Sequence, residues 1–425
     1  MKKSYLMIAA AAALLAACSS NDTFKDEIVG NETELIGFET YHAKSTKAAV
    51  NSPSDLTDEN GGFGVYGFKH LNDRAATSAG EIDLSDVNAN DNVNYVSPIF
   101  DNVKVWYVDG ATTKDFTYAV PKYWDKLKFY TFFAYAPQVA EADATANPAV
   151  KGIAFDQATG KFTRNDILAL QNVNTTSTTG SNNRTQYGTA DESSAIDYLI
   201  APYVPHQKSG ATNQSSANPS YTGKDLTVGF TFSHILSKLN VTVKAKNEDS
   251  GHKYTGVTDI EVTKLNITNL PNNAEVATYA QNKCDEVAGT WTPDNYTTAL
   301  NIIAGDNATS STSLFVLDGG SISGGTITDP ADYIDQTFHY FVAPNTPASG
   351  NNYTLNIDYT IHYVDGTIEP YSRTINLSTE TTNFTTMAQN NIYNITVTIG
   401  LDQIYFTVDA IEDWDGPTET NVNNI

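Results

Sequence analysis

Apolar and polar residues alternate with a period of two along three separate segments, and this alternation limits the fold more than any other feature. In 239–246 the odd positions are Leu, Val, Val and Ala, and every even position is polar. Segments 353–363 and 393–399 alternate in the same way. Because successive side chains of a strand point to opposite faces, each segment predicts a half-buried β-strand. Long amphipathic helical patterns are absent, so the sequence predicts an all-β fold.

Asp-Gly pairs predict two hairpins. Asp109-Gly110 and Asp365-Gly366 each follow a strand-like segment. A two-residue hairpin loop needs positive φ angles at both central positions, which Asp-Gly suits. We therefore expect each pair to form the tip of a hairpin.

Composition and charge narrow the classes of function. The 425 residues include 25 Lys and Arg against 49 Asp and Glu, a formal net charge of −24. Nucleic-acid binding needs a basic face that neutralises phosphates, so we expect no nucleic-acid partner. The 40% content of hydrophobic residues is enough to form cores. Thr and Tyr suit half-buried strands, whereas Asn and Gly suit turns, which agrees with an all-β chain.

The length of the chain suggests two domains. Two polar stretches, 171–186 and 206–223, bracket a short apolar segment, and regular alternation resumes near residue 226. We therefore predict an N-terminal domain over 34–224 and a C-terminal domain over 225–425.

The N-terminus has the features of a lipoprotein signal peptide. Lys2 and Lys3 precede an apolar run over 5–17, too short to span a hydrocarbon core of about 30 Å. The run ends in Leu-Ala-Ala before Cys18, a small-residue cleavage site whose thiol accepts a diacylglycerol group. We expect residues 1–17 to be removed and Cys18 to be lipidated. The alternative is a plain signal peptide in which Cys18 is incidental.

The segment that follows, 18–33, is acidic and poor in apolar residues. It predicts a solvated tether between the lipid and the fold. Removal of 1–17 takes away two lysines and no acid, so the formal charge of the mature chain is −26. Only Cys284 remains besides Cys18, so we expect no intramolecular disulfide.

Three motifs suggest ligand binding, and each has a plainer interpretation. Residues 62–67 match G-x-G-x-x-G, but no strand precedes and no helix follows, which favours a glycine-punctuated strand over a dinucleotide site. Residues 86–91 resemble the start of a calcium loop but lack its later Gly and Glu, which favours a polar loop. The acidic cluster 409–415 is either a metal site or a solvated terminal segment, and its terminal position favours the solvated segment. We expect no metal and no cofactor.

Two other functions, catalysis and sugar binding, would depend on a histidine and on four aromatic residues. His234 lies beside apolar neighbours, as a core or edge histidine does, and no Ser or Cys stands in a recognisable nucleophile setting. We therefore expect no enzyme. Four aromatic residues are either sugar-stacking platforms or core residues: Trp106, Tyr123, Trp124 and Trp291.

Several segments occur in an order and spacing that resemble a known family. They are the lipobox at Cys18 with Ile36-Gly37-Phe38 after it, and the segments 63–68, 121–137, 232–243 and 391–397. Together they resemble the fimbrillin family of lipoproteins from Bacteroides-type bacteria, over nearly the whole mature chain.

The resemblance implies an architecture and a role. It implies two tandem transthyretin-like β-sandwich domains and a structural subunit, at the stalk or tip of a cell-surface type V fimbria that serves adhesion. The precursor would be held at the outer membrane by acyl chains on Cys18. A trypsin-like protease would then remove the first strand, and a strand from another fimbrial subunit would fill the groove.

The resemblance also points to site residues. The removable strand would cover about 35–41, with Ile36 and Phe38 facing inwards, and the cut would follow Lys44, or Lys47 before Ala48. The donor strand would be C-terminal, with alternating apolar residues at Ile404, Phe406 and Val408. The alternative is that this strand completes its own domain. The alternative function is a surface glycan-binding lipoprotein.

Overall fold

The computed structural model describes the chain in these segments: 35–41, 53–70, 82–84, 96–109, 116–125, 128–139, 153–168, 170–172, 178–179, 185–186, 196–207, 227–246, 256–270, 276–294, 299–304, 314–318, 322–323, 326–327, 332–333, 335–347, 352–380, 384–400, 404–408 and 412–413.

These residues form β-strands joined by turns, with two short helical segments, a 3-10 turn at Pro53–Asp55 and α1 at Leu377–Glu380. The predicted all-β fold is confirmed. The strands in chain order are β1 (Gly37–Tyr41), β2 (Phe63–His70), β3 (Val96–Tyr107), β4 (Phe116–Tyr118), β5 (Phe129–Ala136), β6 (Ala154–Asp156), β7 (Lys161–Leu168), β8 (Leu170–Asn172), β9 (Thr178–Thr179), β10 (Thr185–Gln186), β11 (Leu199–Gln207), β12 (Thr227–Thr231), β13 (Ser233–His234), β14 (Ser237–Ala245), β15 (Val257–Thr268), β16 (Val276–Gln281), β17 (Gly289–Asp294), β18 (Leu300–Ala304), β19 (Leu314–Asp318), β20 (Ile322–Ser323), β21 (Thr326–Ile327), β22 (Asp332–Tyr333), β23 (Gln336–Val342), β24 (Thr354–Tyr363), β25 (Ile368–Asn376), β26 (Asn391–Ile399), β27 (Ile404–Val408) and β28 (Glu412–Asp413).

A six-stranded sheet in the order β13-β11-β5-β2-β3-β4 organises the N-terminal part of the structure. Its central strand β5 is buried at all eight positions, because apolar layers cover both faces of the sheet. Phe132 and Ala134 pack on one face, in an N-terminal core with residues of β1 and β12. Phe133 and Tyr135 pack on the other face, in a central core with residues of β7 and β16.

The C-terminal part is a sandwich of two sheets. One sheet has the order β27-β26-β14-β23-β8 with β28 beside β26, and the other has the order β22-β19-β15-β24-β25 with β18 beside β15. Alternate residues of β14, β24 and β26 point into the C-terminal core between the sheets. The three strands predicted from period-two alternation are therefore confirmed.

Strand pairs join the two parts of the molecule across the central core. β7 pairs with β16 in the four-stranded sheet β17-β16-β7-β6, and β8 pairs with β23. β12 begins after residue 224, yet Val228 and Phe230 lie in the N-terminal core. The division into domains at 224/225 stays a prediction, and β12 packs with residues that precede it.

The hairpin between β24 and β25 differs from the predicted two-residue turn. The N–H of Tyr363 donates to the carbonyl of Thr367 at 2.9 Å, and that of Gly366 donates to the carbonyl of Tyr363 at 3.0 Å. The loop therefore has three residues, and within it only Gly366 has a positive φ, +85°. This is the type I turn followed by a left-handed glycine that three-residue hairpins favour. Asp365 stabilises the loop by accepting from the N–H of Thr367, which lowers the pKa of its carboxyl.

Within the described segments, no helix has the length and apolar character that crossing a bilayer requires.

Candidate functional site

Among the described residues, the first strand forms a ladder with one neighbouring strand. β1 pairs in parallel with β12, with Gly37 opposite Thr227 and Tyr41 opposite Thr231. In the part of the chain that the structure describes, β12 pairs with no strand except β1. β4 contacts β1 on its other side without forming a ladder. The two-stranded sheet β1-β12 therefore covers the N-terminal core and depends on β1 for its strand pairing.

Contacts at the N-terminal end attach β1 to the segment after β4. The N–H of Ile36 donates to the carbonyl of Lys122 at 2.9 Å, and the hydroxyl of Tyr118 donates to the carbonyl of Ile36 at 2.7 Å. Leu35 forms an antiparallel bridge with Tyr123. Burial raises the pKa of Tyr118, which therefore stays a neutral donor at physiological pH. The strand is thus secured at its start by a few polar contacts.

The inward side chains of β1 and of the residue just before it are fully buried. Ile36 is 0% exposed and Phe38 is 1% exposed. Burial of two such side chains stabilises a fold by roughly 3–6 kcal/mol. Phe38 is surrounded by five aromatic rings, with centroid distances of 5.9 Å to Phe230, 5.3 Å to Phe100, 5.6 Å to Tyr118, 6.1 Å to Phe132 and 6.5 Å to Phe63. The groove under β1 is therefore an aromatic pocket that suits one large apolar residue.

Several predicted residues lie outside the described segments. They are the lipidation residue and the three residues at the proposed cut: Cys18, Lys44, Lys47 and Ala48. The signal peptide 1–17, the tether 18–33, the calcium-like segment 86–91 and all but 412–413 of the acidic cluster 409–415 also lie outside them. β1 ends at Tyr41, three residues before Lys44.

The C-terminal strand is paired within its own chain. β27, which contains Ile404, Phe406 and Val408, pairs antiparallel with β26 at an edge of the C-terminal sandwich. This is the arrangement of the alternative in which the strand completes its own sheet. An edge strand is held on one side alone, so it is also the kind of strand that exchange between subunits uses.

The aromatic residues weighed as sugar platforms have different environments. Trp124 is 2% exposed and packs edge-on against Tyr130 at a centroid distance of 4.8 Å, so of the two interpretations it is a core residue. Trp291 is half-buried against Tyr279 in the central core, and Trp106 is half-buried in β3. Tyr123 is 50% exposed. The four residues therefore do not form a common exposed surface.

His234 is a buried, partnered histidine, as predicted. Its Nδ1 atom lies 2.9 Å from each carboxylate oxygen of Asp197, and both side chains are at most 2% exposed. The pair lies where β13 meets β11, opposite Leu199. The contact between the two buried side chains therefore joins β13 to the residues that lead into β11.

The glycine motif at 62–67 lies largely in β2, as the plainer interpretation predicts. Its glycines permit close packing. A Cβ on Gly62 would lie 2.2 Å from the carbonyl oxygen of Val105, and one on Gly64 would lie 2.6 Å from the ring of Tyr135. In the described segments, no group of three or more His, Cys, Asp or Glu side chains is arranged to hold a metal ion.

Sequence reasoning missed the partner of β1. Nothing in the local sequence of Thr227–Thr231 marks it as the parallel neighbour of Gly37–Tyr41, since pairing between distant strands leaves no short-range pattern. The apolar residues at 228–232 were the available signal, because Val228, Phe230 and Phe232 alternate with other residues. Such alternation predicts a buried strand face without identifying the strand that pairs with it.

Comparisons with known proteins identify a family and solved structures that this chain resembles. A family model described as fimbrillin-like matches residues 46–414. The crystal structure of a fimbrial protein from Bacteroides vulgatus is similar with a TM-score of 0.50 and 18% identity, and the match covers 89% of this chain and 99% of that one. Comparison with curated proteins gave no match.

Two further solved structures are similar at lower scores. A protein from Bacteroides uniformis, described as a proposed cell adhesion protein, has a TM-score of 0.36 and 14% identity, covering 91% of this chain and 100% of that one. The tip fimbrial protein Mfa3 from Porphyromonas gingivalis has a TM-score of 0.28 and 8% identity, covering 83% and 94%.

Proposed function

Because this chain belongs to the fimbrillin-like family, we propose that it is a structural subunit, at the stalk or tip, of a cell-surface type V fimbria that serves adhesion. Its assembly proceeds by protease-triggered strand exchange with other fimbrial subunits. In this proposal the chain has a structural role and no catalytic one.

The observation that carries the proposal is the placement of β1. The strand fills an aromatic groove in the N-terminal core and is the sole strand partner of β12 among the described residues. Its removal would leave one unpaired strand edge beside an uncovered apolar groove. Such an edge is a template for a strand from another chain, since backbone hydrogen bonds and alternate apolar side chains replace those that were lost.

The proposed cut lies close behind the strand. A trypsin-like protease that cleaves after Lys44 or Lys47 separates β1 from the rest of the fold within a few residues of its end at Tyr41. The released piece would also contain Cys18 and the tether 18–33. Lipidation at Cys18 would therefore hold the precursor at the outer membrane, and proteolysis would free the subunit for the fimbria.

The experiment uses the mature chain from residue 19 onwards, expressed without lipid. Limited trypsin treatment is followed by sequencing of the new N-terminus, unboiled gel electrophoresis and negative-stain microscopy. We expect a cut after Lys44 or Lys47, together with a ladder of polymers or filaments. A matched control, with both lysines replaced by Gln, should remain uncut there and monomeric. A chain that is cut at these lysines, loses β1 and still yields monomers alone argues against a strand-exchanging subunit.

A further inference from the structure

Exposed apolar side chains collect where the chain enters the fold, just before the first strand. Among the residues that the structure describes, four large apolar side chains are exposed, and three of them lie here: Leu35, Val120 and Tyr123. Leu35 forms a bridge with Tyr123, and Val120 lies at a bend three residues before Tyr123. Ala119 and Pro121, on either side of Val120, are exposed as well. We call these five residues the entry patch.

Hydrogen bonds fix the loop that contains most of the entry patch. The N–H of Ile36 donates to the carbonyl of Lys122 at 2.9 Å, and the hydroxyl of Tyr118 donates to the carbonyl of Ile36 at 2.7 Å. The same hydroxyl accepts from the N–H of Lys122 at 3.3 Å. The loop is thus tied to the residue at which the chain enters the fold. A loop held in this way loses little conformational entropy when its side chains meet a partner.

The loop of the entry patch is free of acidic residues. Segment 116–124 contains one lysine and no Asp or Glu, although the whole chain has 49 acidic residues against 25 basic ones. Exposed apolar patches mark sites of contact with proteins or membranes. Tyrosine suits the boundary between lipid and water, because its ring is apolar and its hydroxyl is polar. The composition of the loop therefore suits contact with a lipid surface.

The position of the entry patch in the chain indicates the partner that it meets. Seventeen peptide bonds separate Cys18, the proposed lipidation residue, from Leu35. A flexible segment of this length has a root-mean-square span of roughly 20–25 Å. Acyl chains on Cys18 therefore keep the entry patch close to the bilayer. Because the bilayer is then present at a high effective concentration, a small apolar contact is sufficient for binding.

We propose that the entry patch of the anchored precursor lies on the lipid surface of the membrane, with Val120 and Tyr123 in contact with the acyl chains. This rests on the lipidation of Cys18 in the proposed function, and it adds the orientation of the subunit before proteolysis. Leu35 and Tyr41 are six residues apart in extended chain, about 20 Å. The contact seats the Leu35 end of this segment at the bilayer. It leaves the Tyr41 end, which leads to the proposed cut, up to that distance above the lipid.

The test supplies the anchor chemically. The chain from residue 18 onwards is coupled through Cys18 to phosphatidylcholine vesicles that contain a small fraction of maleimide lipid. Cys284, the other cysteine, is fully buried and should not react. Cys18→Ser is the control that should not attach. The experiment needs neither proteolysis nor filaments, so its result is independent of strand exchange.

The first readout is quenching of tryptophan fluorescence by brominated acyl chains in the vesicles. Val120→Trp and the matched control Ile368→Trp each place the indole at an exposed aliphatic position, since Val120 is 63% exposed and Ile368 is 59% exposed. Ile368 belongs to β25 of the C-terminal sandwich. We expect loss of the added fluorescence in Val120→Trp and no loss in Ile368→Trp. Equal quenching at the two positions overturns the proposal, because the chain then has no preferred face on the bilayer.

The second readout is hydrogen exchange of the wild-type loop, which needs no added tryptophan. We expect the peptide that contains 119–123 to exchange more slowly in the anchored chain than in a free chain with Cys18 blocked. Joint replacement Val120→Asp and Tyr123→Asp should weaken the contact by roughly tenfold or more and restore the faster exchange. Ile368→Asp should leave the protection unchanged. Both replaced loop side chains are exposed, and urea unfolding checks that the double variant stays folded.

Three further results would overturn the bilayer contact. One is the absence of both quenching and protection in the anchored chain. Another is protection of the loop in the free chain that increases with protein concentration, because a second copy of the chain then covers the entry patch. The third is an unmodified Cys18 in protein isolated from cell membranes, which removes the anchor. A cut chain that forms no filaments contradicts strand exchange alone and leaves the bilayer contact of the uncut precursor standing.

Discussion

Phe38 of β1 stacks on Phe230 of β12, with ring centroids 5.9 Å apart and an interplanar angle of 16°. The same two strands pair through their backbones. β1 is therefore fixed to β12 in two ways, by the pairing of the two backbones and by stacked rings in the N-terminal core. Loss of β1 opens the core itself, which is why its burial is the central feature of the proposed exchange.

Truncation of Phe38 should destabilise the uncut chain strongly. Phe38→Ala removes a fully buried ring and leaves a cavity among five aromatic side chains, which typically costs about 3–5 kcal/mol. The measurement is urea unfolding of the mature chain. Leu35→Ala is the matched control on the same segment, because Leu35 is 47% exposed and should cost less than about 1 kcal/mol. Equal losses for the two variants would show that β1 does not rely on its inward face.

Tyr371 should titrate at high pH. The hydrogen bond that its hydroxyl donates to Glu369 at 2.7 Å, together with burial, raises the pKa of Tyr371 to about 12. Replacing Glu369 by Ala should bring this pKa back towards 10. The measurement is the difference in absorbance at 295 nm between each chain and the same chain with Tyr371→Phe, followed through the titration.

The shift also predicts how stability depends on pH. The folded pKa of Tyr371 is raised above its unfolded value, so its contribution to stability is fully present below pH 10 and is lost as the pH rises from 10 through about 12. Tyr371→Phe should remove this part of the pH dependence. An unchanged alkaline stability profile in Tyr371→Phe would contradict the assignment.

Alanine at Gly62 should be more costly than alanine at Gly366. Both glycines have positive φ angles, +54° and +85°, which strain an L-residue by about 1–2 kcal/mol. A Cβ at Gly62 would in addition meet the carbonyl oxygen of Val105 at 2.2 Å, whereas one at Gly366 would have no atom within 4 Å. We expect Gly62→Ala to lower the unfolding free energy by at least about 1 kcal/mol more than Gly366→Ala, measured by urea unfolding. A smaller loss at Gly62 would mean that β3 moves aside without cost.

Removal of Asp197 should loosen the junction of β11 and β13. The carboxylate lies 2.9 Å from Nδ1 of His234 and both groups are buried, so Asp197→Ala leaves a buried ring nitrogen without its partner. Leaving a buried polar group without its hydrogen-bond partner typically costs about 1–3 kcal/mol. Asp197→Asn keeps an acceptor oxygen and is expected to lose less in thermal or urea unfolding. A loss for Asn as large as that for Ala would show that the acceptor oxygen at this position does not contribute to stability.

Local pattern was sufficient for the strands of the C-terminal sandwich. The alternation in 239–246, 353–363 and 393–399 reflects a burial that repeats every second residue, and the structure confirms all three strands. The burial of His234 was also predictable from nearby residues, since Phe232 and Ile235 beside it are apolar. These features depend on residues that are adjacent in sequence.

Features that depend on distant contacts were missed or misjudged. The sequence left Trp124 open between a sugar platform and a core residue, and only the contacts with Tyr130 and Phe132 of β5 decide that it is buried. The Asp365-Gly366 hairpin was predicted, but its loop length was wrong, because hydrogen bonds from Tyr363 select a three-residue loop. Neither local composition nor alternation contains this information.

The sequence by itself determined an all-β chain, the inward positions of several strands and the resemblance that led to the fimbrillin family. Only the tertiary structure decided that β1 lies parallel to β12, that the stacked rings of Phe38 and Phe230 join them and that Thr40 is buried without a partner. The physical reason is the separation in sequence between the residues that produce each feature. Alternation is set by the two faces of a single strand, whereas pairing, ring stacking and the fate of one hydroxyl depend on which distant strands the whole chain brings together.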